Sequence, residues 1–263
     1  MADVTDETNH IEKLYEYGER LNESKDKSQN VEDYEGIIRF FKHFPSLADS
    51  AVEAHFDLCE EEELGLPEER KLDLLKNLAE SSPYTTPQDS RQLLPSIVQL
   101  LKKYMPRRKS GEETNFTYVE CLLYTFHHLS YKTPNATNSL CGYKIVTGQP
   151  SDRLGEDFSE NFKDFTERLI NIEKLSRVTM KKLAQDKIEH NKAMTAAKTE
   201  EEKATIKTKK LNSTTGLRTC NNILLMTKSL HVKTPSFIGD EKINLSWKER
   251  VKSLVPSTTP TAG

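Results

Sequence analysis

The sequence predicts an all-α protein of stacked helical hairpins ending in one long hairpin, and three observations point there. Phe40 to Glu63, FFKHFPSLADSAVEAHFDLCEEEE, carries one apolar stripe of Phe40, Phe41 and Phe44 and a second of Leu47, Ala51, Ala54 and Leu58, split at Pro45. Helices of this kind have an apolar face that the pair cannot bury alone, so they stack on neighbours. Phe116 to Leu129 is apolar on nearly every side, as a central buried helix is. Phe158, Phe162, Phe165, Leu169 and Ile172 form a heptad seam. The seam loses register after about two repeats, which predicts a packed helix and not an extended coiled coil.

Taken in order, residues 1–9 are a polar arm, and Ile11, Leu14, Tyr15 and Gly18 open a helix reaching about Leu21. Asn30 or Asp33 can cap the next helix, because a short polar side chain satisfies free backbone amides there. That helix runs through Tyr34, Ile37, Ile38 and Phe41 to Phe44, where Pro45 ends it. Ser46 caps the following one, to about Cys59. The dipole disfavours anions at a helix C-terminus, so Glu60, Glu61, Glu62 and Glu63 belong to a loop.

Pro67 opens a second region. Leu72, Leu75 and Leu78 align on a helix from Glu69 to Ser81, and SSPYTTPQD is a turn. Leu93, Leu94, Ile97, Val98, Leu101 and Tyr104 define the next helix, ended by Pro106. Thr133 to Gly155 reads as a long, mobile loop with two prolines and three glycines. The seam helix continues through Leu175, Val178 and Leu183 to about Ala197. Thr199 and Glu202 then form a capping box, opening a helix through Ile206, Leu217, Cys220, Ile223 and Leu224 to about Leu230. These two helices make the long antiparallel hairpin. Ile243 to Trp247 reads as a short extended piece whose Trp, the only one in the chain, anchors the end onto the helices. The expected division is 1–66, 67–250 and a disordered tail over 251–263.

The 263 residues are 35% hydrophobic and 30% charged, which suits thin repeated cores under a large solvated surface. Four cysteines, at 59, 121, 141 and 220, contain no CxxC pair, and those at 59, 121 and 220 lie in apolar helical patterns. The acidic, polar start is not a secretory signal, and no apolar run spans a bilayer, so a reducing compartment and no membrane partner are expected. The five N-x-S/T matches are then chance. Charge is uneven. Residues 1–66 hold 18 acidic and 6 basic side chains, a net −12, and residues 67–263 hold 23 and 32, a net +9. Opposite surfaces of that kind select different partners or each other, when they are more than ordinary solvated faces.

Little here carries chemistry. The phosphate-loop, dinucleotide, zinc-protease and nucleophile-elbow motifs are absent. His127 and His128 diverge on a helix and cannot share a metal; one is expected to pack and the other to meet solvent. His43 and His55 are solitary, and Cys121 with His128 reads as core. No catalytic residue, metal, cofactor or small-molecule substrate is expected. The candidate surface is charge alone: Glu60–Glu63, and Lys181, Lys182, Lys207, Lys209 and Lys210 on the hairpin. Between Lys174 and Lys210 eleven basic residues stand against five acidic ones. They could meet RNA phosphates in a salt-sensitive way, but no aromatic side chains interleave for base stacking.

Several blocks carry a family resemblance: Ile11 to Ile38, FFKHFPSLADSAVEAHFDLCEEEE, FTYVECLLYTFHHL, and the longest, KTEEEKATIKTKKLNSTTGLRTCNNILLMTKSLHVKTPSFIGDEKINLSWKE. In that order they resemble the apoptosis inhibitor 5 family, the last block being nearest its plant members. The resemblance implies a HEAT and armadillo-like α-solenoid and a non-enzymatic, nuclear scaffold that restrains programmed cell death. It also implies protein partners of the Acinus RNA-processing type and DEAD-box helicases. An RNA-processing adaptor working through residues 174–210 is the alternative. Three departures stand out. YEGII runs almost directly into RFFKHF. LCEEEELGLP jumps to what resembles the start of the C-terminal half, without the central repeats, the leucine-zipper-like segment and the acidic surface for growth-factor contacts. The basic tail expected after SWK is reduced to Lys248, Arg250 and Lys252. A shortened form is therefore expected, with nuclear or, lacking that signal, cytoplasmic placement.

Overall fold

The computed structural model describes residues 68–107, 114–143, 158–239 and 243–248. The helices expected before Pro67, Glu60–Glu63 and the 251–263 tail lie outside the described residues. Six α-helices follow one another: α1 (Glu68–Ser81), α2 (Pro87–Tyr104), α3 (Phe116–Lys132), α4 (Pro134–Cys141), α5 (Ser159–Ala196) and α6 (Glu200–Lys228). Single 3-10 turns sit at Ser82–Tyr84 and Ser229–His231, and no strand occurs among the described residues. The fold is the all-α helical repeat that the sequence predicts, with α5 and α6 as its long hairpin.

The apolar character of α3 explains its place. Tyr118, Val119, Leu122, Leu123, Phe126 and Leu129 are all essentially inaccessible. They pack against α1 and α2 on one side and α6 on the other. Leu75 and Leu78 of α1, and Leu94, Ile97 and Leu101 of α2, close the core from below. Phe165, Leu169 and Ile172 bring α5 to it, and Phe165 meets the ring of Phe126 at 5.5 Å between centroids.

Several expectations need correction. Helix α2 begins at Pro87 and not near Leu93, because Thr86 caps it and exchanges bonds with Asp89 in a capping box. Pro95 sits inside it, where it lacks the N–H that would bond the Arg91 carbonyl. The loop expected over 133–155 starts as a helix: Pro134 takes the first position of α4, where its missing N–H costs nothing. Gly142 ends that helix in the left-handed region, at φ 71°. His127 and His128 are both buried, since α3 is covered on both flanks. Ile243–Trp247 is not a regular strand but ends in a turn. Its Trp does dock, with Nε1 donating to Glu80 at 2.8 Å.

Candidate protein-interaction surface

The surface is the α5–α6 hairpin, and its geometry follows from where burial stops. The last fully buried residue of α5 is Ser176, and the first of α6 is Ser213. Between them, about 20 residues of α5 form a shaft of about 30 Å that packs mainly on its partner helix, with Thr179 and Leu183 near its base also lining a groove beside Asn115 and Phe116. The half-buried positions on α5 beyond Ser176 include Thr179, Leu183, Asp186 and His190. On α6 they are Lys203, Ile206, Lys210 and Leu217. The heptad register therefore continues along the whole arm; its side chains change from apolar to polar, so the sequence gives the impression that the seam ends. Val178, through which the seam helix was expected to continue, lies off this register and is exposed.

The base of the arm is locked to the body by polar contacts. Arg168 donates through Nη1 to the carbonyls of Lys102 and Met105, and Asn171 Nδ2 donates to that of Pro106 at 2.8 Å. A cation there meets the negative end of the α2 dipole. Asp164 receives Arg168 Nε at 2.9 Å and also Arg107. Burial by itself would raise the Asp164 carboxyl, but the hydrogen bonds from Arg107 and Arg168 outweigh it and hold the group below its ordinary value. On α6, His127 Nε2 lies 2.9 Å from the Met226 carbonyl, while its Nδ1 accepts from the Ile238 N–H at 3.2 Å. That pairing requires a neutral ring with its proton on Nε2. Burial pushes the pKa of this imidazole down to about 4.

Glu120 of α3 is wholly buried and ties the C-terminal described segment to the hairpin base. Its carboxylate accepts from Asn222 Nδ2 at 2.6 Å, from the Ser246 N–H at 2.9 Å and from Ser246 Oγ at 2.5 Å. Arg218 donates through Nη2 to the carbonyls of Leu245 and Lys248. The arm thus projects from a fixed mount.

The sequence-predicted lysines lie on this arm but not as one cluster. Lys181, Lys182, Lys207 and Lys209 are exposed, and Lys210 is half-buried toward the seam. A Cβ on Gly216 would come 2.9 Å from Leu183 Cδ1, which fixes the antiparallel register. Counting from that contact sets Lys207 level with Lys192, and Lys182 level with Leu217. Lys181 and Lys182 are therefore in the lower third of the arm, and Lys207, Lys209 and Lys210 nearer its tip. Of the exposed apolar residues Ile170, Val178, Ile188 and Leu211, only Val178 figures in the sequence pattern, as a position of the seam helix. Their signal was present in their offset from the seam, which places them on the outer side of a two-helix shaft.

Cys121, Cys141 and Cys220 are free and buried, and burial pushes the Cys220 thiol up to about 11 and Cys141 higher still. Among the described residues no group of three His, Cys, Asp or Glu side chains converges as metal ligands, and no helix is long and apolar enough to cross a membrane.

The family model described as Apoptosis inhibitory protein 5 matches residues 11–39, 37–66 and 65–263. An apoptosis inhibitor 5-like protein of Oryza sativa subsp. japonica is 62% identical over 194 residues, covering 74% of this chain and 36% of that protein. The apoptosis inhibitor 5 homolog of Drosophila melanogaster is 37% identical over 60% of this chain and 35% of its own length. That of Dictyostelium discoideum is 30% identical over 44% and 20%. The matched regions thus span about a third or less of these curated relatives.

Proposed function

This chain belongs to the apoptosis inhibitory protein 5 family, and from that premise we propose that it is a non-enzymatic scaffold that restrains programmed cell death by holding other proteins. The observation that carries the reading is the projecting arm, which has no buried residue between Ser176 and Ser213 and offers its outer faces to a partner. Helical-repeat proteins work by such extended surfaces, occupying a partner instead of transforming it. Proteins that process RNA in the nucleus, of the Acinus and DEAD-box kinds, are the partners this reading names, and the nucleus is its compartment.

The test is a comparison in cells driven into programmed death. The full chain should lower DNA fragmentation relative to an empty vector. A chain with residues 187–211 replaced by a tight turn should give no protection at equal abundance. Equal fragmentation with the full chain and the empty vector would sink the reading.

A further inference from the structure

The outer face of α5 is built differently from the rest of the arm. Ile170, Lys174, Val178, Lys181, Ile188 and Lys192 fall within about 80° of one another around the helix, opposite the seam to α6. Ile170 is 40% exposed, Val178 67% and Ile188 57%. The five-turn spread of unsatisfied apolar surface is interleaved with exposed lysines, and the stripe contains no carboxylate. Among the described residues no ion pair engages Lys174, Lys181 or Lys192. Arg177 borders the stripe on one side, Lys182 and Glu189 on the other. At its lower end Ile170 and Lys174 enter a concavity of about 730 Å³ shared with Arg107, Glu167 and Asn171.

We propose that this face is a docking strip for an acidic amphipathic helix of a partner protein, which lies along α5 and turns the two-helix arm into a three-helix bundle. The proposal rests on the scaffold reading and names the chemistry of its partner. Three features of the strip select that occupant. Its helical backbone is already hydrogen-bonded and gives an extended peptide no edge to pair with, whereas a helix inserts apolar side chains between Ile170, Val178 and Ile188. The lysines alternate with those apolar positions along the strip, so acidic side chains on the incoming helix meet them. The strip carries no aromatic ring on which a base could stack, which sets it apart from single-stranded nucleic-acid platforms.

The test uses the full chain and a fluorescein-labelled peptide about 20 residues long, made of Glu, Leu and Ala with its leucines at a and d positions. A scrambled peptide of the same composition is the control. The seamed peptide should bind about tenfold more tightly than the scramble and weaken as salt is raised. The double variant Val178→Glu, Ile188→Glu should lose about tenfold, while Leu211→Glu, on the other helix, stays near the parent; circular dichroism checks that both fold. Equal binding of the two peptides, or equal loss in both variants, overturns the strip. So does a uridine homopolymer that binds more tightly and displaces the peptide, which would point to nucleic acid instead. Cell-death protection that survives Val178→Glu, Ile188→Glu moves docking to another face and leaves the scaffold reading standing; absence of protection by the parent chain removes the scaffold reading itself.

Discussion

His127 shows how one buried side chain sets an acid limit. Its folded pKa is about 4 against an ordinary 6.5, so the unfolded chain takes up the proton first as pH falls. Stability from this group is complete above pH 6.5 and is lost progressively between 6.5 and 4. At pH 4.5 the loss is about 2–3 kcal/mol. Urea titrations at pH 7 and pH 4.5 should show it, and His127→Gln, which cannot titrate, should flatten the difference. Gly142 is a second position where one atom decides. It holds a positive φ, and a Cβ there would lie 2.3 Å from the Phe158 carbonyl oxygen. Gly142→Ala should therefore cost more than the ~1–2 kcal/mol of the left-handed conformation alone, read as a fall in the urea midpoint. Lys132 acts locally too: its Nζ donates to the carbonyls of Ser82, Pro83 and Thr85, holding the 3-10 turn.

At the scale of elements, the arm and the body are energetically separable. Because no residue between Ser176 and Ser213 is fully buried, replacing 187–211 by a tight turn should move the melting temperature by only a few degrees, with the body's near-ultraviolet circular dichroism unchanged. Loss of cooperative unfolding would contradict this. The same elements show what was readable beforehand. The Thr199–Glu202 box, the α3 apolar run and the Phe158–Ile172 seam announced their helices, because each is a local pattern with a local cause. Helix α4 was hidden by Pro134, which reads as a breaker unless it stands first. Pro87 hid the early start of α2 in the same way, within SSPYTTPQD. The arm lysines were visible as charge, but their division into two levels depends on the Leu183–Gly216 register, which no local pattern encodes.

For the whole molecule, closure depends on Glu120. It gathers donors from α6 and from Ser246, and the short segment after it carries the sole Trp onto Glu80 of α1. Glu120→Ala strands buried donors and should cost about 3–5 kcal/mol, as breaking a buried charged network does. Trp247 reports it directly, because undocking would shift its emission to the red before the helices melt. An unshifted spectrum in a destabilised variant would mean that the segment stays docked by Leu245 and Arg218 alone.

The change from Phe, Leu and Ile to Ser, Thr, Asp and His along one continuous register grades the arm's cohesion from mount to tip. Amide hydrogens should accordingly exchange with solvent slowly near Ile172 and Ile223, and progressively faster toward Ala196 and Glu200. An arm graded in this way holds its root as a fixed strut and leaves its tip the first part to yield under load.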